Sequence, residues 1–222
     1  MMYIIKNTIL ESELHLNEQR VEHMKVSKEQ MAEHRELILT TASRRFRDKG
    51  FDGVSVAGLM KEAGLTHGGF YNHFESKEHL IALATRRAFD DLMGRWAGLR
   101  ERNPAKPSQA IIQTYLSYNH YRKPESGCVV AALGTETARQ AGSVKTVMAG
   151  GIEDLLKILE DSSAGRSQKQ RRKRAVTVLS QMIGAMVLAR SNNNQSLARE
   201  ILTTVSESLT NSPQRKSAST GP

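Results

Sequence analysis

The sequence predicts an all-α fold, and three observations carry that reading. There is no sustained apolar/polar alternation and no Asn-Gly or Asp-Gly turn between β-branched runs, so the signals of strands and hairpins are missing. Apolar residues instead recur at three- and four-residue spacing, the period of a helix with one buried face. Ser, Thr and Gly stand at the segment ends, where helix caps need them.

The elements follow in order. Between Lys28 and Lys49 the residues Leu37, Ile38, Thr41, Ala42, Arg45 and Phe46 mark a first helix, which Gly50 stops. Ser55 is placed to cap the short run "VAGLMKEA", which ends at Gly64. "LTHGGFYNHF" (Leu65 to Phe74) then reads as a second short helix after a tight turn, with Thr66 as its N-cap and Leu65 and Phe70 packing on the helix before it. Ser76 opens a long helix with an apolar series through Leu80, Leu83, Ala84, Ala88, Leu92, Trp96 and Leu99, and the prolines of "NPAKP" end it.

Further helices are expected at about 108–121, 128–140, 143–160, 172–190 and 195–210, between the breakers "RKPESG", "AGS", "DSSAG" and "SNNN". "AVTVLSQMIGAMVLA" (Ala175 to Ala189) is apolar almost all round and is expected to be buried on nearly every side, with Ser180, Gly184 and Ala185 allowing close backbone approach. Leu197, Ile201 and Val205 form one stripe of the last helix, with Ala198 and Leu202 beside it. These two helices either pair with their copies as a four-helix bundle or close the core of a single chain. The pattern divides the chain into an extension of unassigned role (1–27), a helix-turn-helix domain (28–75), a larger helical domain (76–210) and a polar tail expected to be disordered (211–222).

Composition narrows the function. With 39% hydrophobic and 25% charged residues in 222, the chain is expected to fold as a soluble protein. No apolar run reaches the roughly 18 residues of a membrane span, and the N-terminus lacks a signal-peptide pattern, so a cytoplasmic protein with no membrane partner is expected. A formal charge of +9 points to an anionic partner, nucleic acid first. Six of the cations crowd into "RSQKQRRKR" (Arg166 to Arg174), which reads as a solvated loop. The one cysteine, Cys128, excludes an intrachain disulfide and fits a reducing compartment. There is no Gly-rich phosphate loop, no His-Glu-x-x-His and no cysteine pair, so neither an enzyme nor a cofactor is expected. His67, His73 and His79 are spaced by six, where a helical metal pair needs three or four, so no metal site is expected either.

Two short helices joined at a glycine form a helix-turn-helix, whose second helix enters the major groove. Each interior glycine costs a helix about 1 kcal/mol against alanine. Gly68 and Gly69 therefore read as positions kept bare so that the helix N-terminus approaches DNA, where its amides favour phosphate. Lys77, at the unfavourable end of the next helix dipole, makes sense beside a phosphate. Tyr71 and His73 suit phosphate oxygens, and His67 and Asn72 suit base edges.

The segment "LILTTASRRFRDKGFDGVSVAGLMKEAGLTHGGFYNHFESKEHLIALA", about residues 36–84, resembles the N-terminal DNA-binding domain of the tetracycline-repressor (TetR/AcrR) family of bacterial transcriptional regulators. The resemblance implies that Ser55, Thr66, Tyr71, His73 and Lys77 meet backbone phosphates, while His67, Gly68 and Asn72 meet bases or line the groove. It further implies a C-terminal helical domain that binds a small-molecule effector, dimerises through its last two helices, and resets the spacing of the two recognition helices on a double-stranded operator. Met60 departs from the pattern, standing where many such motifs hold alanine, and His79 stands where a capping-box glutamate is common.

In the C-terminal half, Cys128 precedes the helical run "VVAALGTETARQ". A thiol there is either activated by the helix dipole as an electrophile or oxidant sensor, or a small core residue. Trp96, Tyr115, Tyr118, Met148 and Met182 suit a hydrophobic effector pocket, and suit a core equally well. The expected function is a dimeric DNA-binding repressor released by a small hydrophobic effector. The alternatives are a thiol-sensing repressor using Cys128 and a less specific helical nucleic-acid-binding module.

Overall fold

The computed structural model describes residues 28–140, 142–163 and 167–211, and all of its regular structure there is helical. The extension 1–27 and the tail from 212 onward lie outside the described residues. The first helix, α1, runs through 28–49 and ends at Gly50, whose φ of 75° is the left-handed cap that glycine adopts without strain. α2 (Val56–Glu62) is capped by Ser55, whose Oγ accepts the Gly58 amide at 3.1 Å. It closes with a Schellman motif: Gly64 N–H donates to Lys61 O (3.1 Å) and Leu65 N–H to Met60 O (2.8 Å), with Gly64 at φ 71°. Then come a 3₁₀ segment, His67–Asn72, and the long α3, Lys77–Arg102, whose N-cap Ser76 accepts the His79 amide at 3.0 Å.

Beyond α3 lie α4 (Pro107–Tyr115), α5 (Tyr118–Arg122), a 3₁₀ turn at Pro124–Ser126, α6 (Val129–Thr137), α7 (Gly142–Asp161), α8 (Gln168–Arg190) and α9 (Gln195–Asn211). The single helix expected over 108–121 is broken at Leu116. Ser117 Oγ accepts the His120 amide at 3.2 Å and His120 Nδ1 meets Tyr115 O at 2.6 Å, so side chains replace the helical bonds of one turn. The cationic run expected as a loop is also different, because residues 168–174 form the first turns of α8. Arg172 is held there in a fork, reaching Glu153 (2.7 Å) and the buried Glu160 (2.9 Å) on α7, and those carboxylates offset the unfavourable helix end.

α3 packs along α7, α7 on α8, and α8 on α9, around a core that includes Phe89, Leu92, Trp96, Leu155, Leu159, Met182 and Met186. Gly151 permits the α3–α7 contact, since a Cβ there would sit 2.2 Å from the Phe89 ring. α8 departs from the expectation of burial on every side. Val176, Val187 and Leu188 are exposed, as is Leu197 on α9, while α9 buries Ala198, Leu202 and Leu209.

The N-terminal helices are tied to the rest by main-chain and carboxylate contacts. Arg47 on α1 is 5% exposed and donates from Nε to Glu125 O at 2.9 Å. Phe51 N–H donates to Glu136 Oε2 on α6 at 2.7 Å, and Arg87 on α3 bridges Glu36 on α1 and Asp91. Among the described residues no helix is long and apolar enough to cross a membrane.

Candidate nucleic-acid interface and effector region

The segment after Gly64 is a 3₁₀ helix of six residues, tighter than the α-helix expected. Phe70 and Phe74, 1% and 2% exposed, anchor it, with rings 5.5 Å apart and the Arg35 guanidinium 4.6 Å over Phe74. That anchoring turns the other side outward: Thr66, His67, Gly68 and Asn72 are exposed, and Tyr71 is 71% exposed. Thr66 holds the N-cap position in extended conformation, but its hydroxyl makes no capping bond, contrary to the expectation that it would. Ser55 lies exposed at the start of α2 with its oxygen accepting a capping bond, which leaves its O–H free to donate.

The two glycines differ. A Cβ on Gly68 would meet nothing within 4 Å, so this position faces open space, as close approach to a groove requires. A Cβ on Gly69 would lie 3.7 Å from Thr66 Oγ1 and 3.8 Å from the Met60 methyl, so this glycine faces the partner helix. The bulk of Met60, buried on α2, is thus accommodated by a small residue opposite. His73 is half-turned inward: its carbonyl accepts from Arg35, its ring lies 6.2 Å from that of His34, and burial, then His34 and Arg35, push its pKa down. His79 is held by Glu75 N–H at its Nδ1 (3.4 Å), and Lys77 is partly buried at the first turn of α3.

The residues picked for an effector pocket are scattered. Trp96 and Tyr115 share a cavity of about 180 Å³ between α3 and the α4–α5 region, with ring centroids 6.2 Å apart and edge to face. Met148 and Met182 are buried in the core. Tyr118 stacks on Tyr121 at 5.2 Å under Arg199 and does not line that cavity. Cys128 is fully buried at the N-cap of α6, its amide donating to His120 Nε2 at 3.0 Å. Because Nε2 accepts, Nδ1 carries the proton given to Tyr115 O, and burial holds the His120 pKa down to about 4, with Arg190 and Arg95 adding to the effect. Sequence reasoning missed His120, Arg47, Arg95 and Arg190, which all lie around Cys128; only contacts between distant segments reveal them.

A short helix, a left-handed glycine and an outward-facing second helix anchored by aromatics define a helix-turn-helix DNA-binding protein. Comparison with known proteins agrees. A profile described as "Bacterial regulatory proteins, tetR family" matches residues 38–84. The HTH-type transcriptional regulator YerO of Bacillus subtilis is 31% identical over 83 residues, 37% of this chain and 29% of its own length. The alignment thus spans less than a third of that relative. The HTH-type transcriptional repressor DhaR of Mycobacterium sp. is 24% identical over 185 residues, 79% of this chain and 91% of its own. A TetR-family regulator from Cytophaga hutchinsonii superposes with a TM-score of 0.69 at 18% identity, covering 84% of this chain and 98% of that one, and shows the same fold. Residues 38–84 thus carry the helix-turn-helix domain of the tetR family of bacterial regulatory proteins, and the chain as a whole shares the fold of TetR-family regulators.

Proposed function

We propose that the protein is a homodimeric repressor that occupies a palindromic operator through two recognition segments and leaves it when a small hydrophobic effector binds its C-terminal domain. The observation that carries this reading is the outward face of the recognition segment, on which His67, Gly68, Tyr71 and Asn72 are all exposed. Ser55, Thr66 and Tyr71 supply hydroxyl donors for phosphates around it, and Lys77 a cation. The exposed apolar residues Val176, Val187 and Leu188 of α8 and Leu197 of α9 support the dimer, since such a patch favours a partner surface. DhaR, aligned over most of its length, is named a repressor. The domain limits adopted are 28–75 for DNA binding and 76–210 for effector binding and dimerisation.

The test is fluorescence anisotropy with promoter DNA against unrelated DNA at fixed salt, with mass measured by light scattering. A dimer that prefers one palindrome, and that loses affinity in Tyr71→Phe and Lys77→Ala without a change in melting temperature, is expected. A one-chain mass, or equal affinity for unrelated DNA, sinks the operator-specific reading in favour of a general nucleic-acid-binding module.

A second reading is a thiol sensor at Cys128, which lies fully buried at the N-cap of α6. In that case peroxide releases DNA from the wild type and not from Cys128→Ser. An identical response from both excludes it.

A further inference from the structure

The cavity beside Trp96 has a definite chemical character. Its floor is apolar and aromatic, made by Leu92, Trp96 and Tyr115, while two exposed cations, Arg95 and Lys123, stand at its rim. Among the described residues no carboxylate lines it. His120, also on the wall, has both ring nitrogens engaged and adds no charge near neutral pH. The size is equally restrictive. About 180 Å³ is close to the ~150 Å³ cavity that takes benzene and below the ~300 Å³ at which drug-sized pockets begin. Tyr115 itself is 2% exposed, and burial first, then the Cys128 thiol beside its hydroxyl, hold its pKa well above the ordinary value.

We propose that this cavity binds a small organic monoanion, a carboxylate on a single-ring or short-chain apolar body, with Arg95 and Lys123 taking the carboxylate and Trp96 and Tyr115 the body. Two rim cations exclude an amine, and the aromatic floor disfavours a fully hydrated ion such as phosphate. Binding also has a route to the DNA-reading domain. Arg95 donates from Nη2 to Ser126 O at 2.9 Å, while Arg47 of α1 donates to the preceding carbonyl, Glu125 O, at 2.9 Å. A carboxylate at Arg95 competes with the Ser126 carbonyl for the guanidinium and frees one end of the 124–126 turn that Arg47 holds at the other. The regulatory consequence rests on the effector-responsive reading above; the binding site does not.

Trp96 is the one tryptophan of the chain, so its fluorescence reports on this cavity directly. Wild-type protein is titrated with benzoate, hexanoate, benzyl alcohol and inorganic phosphate. Saturable change with benzoate or hexanoate is expected, with benzyl alcohol and phosphate at least about tenfold weaker, the worth of one charge-assisted contact. The Arg95→Gln/Lys123→Gln double variant is expected to lose at least about tenfold in carboxylate affinity while keeping its affinity for benzyl alcohol, which reports that the cavity survives loss of the Arg95 bond to Ser126 O. Absence of a saturable response to either carboxylate overturns the site. Phosphate binding as well as benzoate, or unchanged benzoate affinity in the double variant, overturns the ligand class. DNA release is measured separately, so failure of the repressor reading shows in the ligand-free DNA titration and not in the fluorescence.

Discussion

Arg47 Nε donates to the Glu125 carbonyl at 2.9 Å, across a sequence separation of 78 residues, and its Nη1 is buried with no partner among the described residues. Burial is the main influence on its pKa, lowering it to about 10 against the opposing pull of Asp91. A guanidinium so placed gains one hydrogen bond and gives up much of its hydration. Arg47→Met is therefore expected to stay within about 1 kcal/mol of wild type in urea denaturation, because loss of the bond is offset by removal of a poorly compensated buried charge. Ligand-free operator affinity should persist while the response to bound carboxylate disappears. A loss above about 3 kcal/mol would mean that the charge is well paired in the folded state.

Gly68→Ala separates stability from DNA binding. Gly68 has no positive φ, and its added Cβ meets nothing, so the free protein is expected to gain about 0.4–1 kcal/mol from reduced unfolded-state entropy. The same methyl would stand between the helix and the groove, and anisotropy should show affinity falling by about tenfold. Unchanged affinity with raised stability removes close approach as the reason for this glycine.

Gly151→Ala is expected to be destabilising by about 1–3 kcal/mol, since its Cβ would lie 2.2 Å from the Phe89 ring at the α3–α7 contact. Adding Phe89→Leu makes room, so the double variant should recover part of the loss of Gly151→Ala measured in the Phe89→Leu background. Strict additivity in this double-mutant cycle would show that the two positions do not share the space.

His120 gives a pH dependence of known sign. Its folded pKa of about 4 lies below the ordinary value of 6.5, so protonation favours the unfolded chain. Its contribution is complete above about pH 6.5 and is lost as pH falls toward 4, by at most about 3 kcal/mol. Arg190 and Arg95 face the ring, and its nitrogens engage Tyr115 O and the Cys128 amide, so both charge and lost bonding act in the same direction. Stability of His120→Gln should fall less steeply than wild type across this window. Parallel curves would locate the proton uptake elsewhere.

The sequence reveals the helices through cap residues and periodic apolar positions. Ser55, Ser76, Gly50 and Gly64 each do locally what their chemistry suggests. The outward face of the recognition segment was legible for the same reason, since Phe70 and Phe74 fix which side turns in. Legibility failed where distant segments decide. Arg172 turns a cationic run into helix by finding Glu153 and Glu160, and Ser117 with His120 divides one expected helix into two. Gly69 has the same local chemistry as its neighbour Gly68, and only Met60, on another helix, sets it apart. The cavity at Trp96 depends on Arg95, Lys123 and His120, which no local pattern distinguishes from solvated residues.

Arg47 and Arg95 grip the carbonyls of two consecutive residues, Glu125 and Ser126. A carbonyl belongs to every amino acid, so the linkage between reader and cavity is written in atoms that substitution at 125 or 126 does not erase. Mutation can thus reshape the cavity wall, Ser126 included, while the hold on the N-terminal helices stays in place.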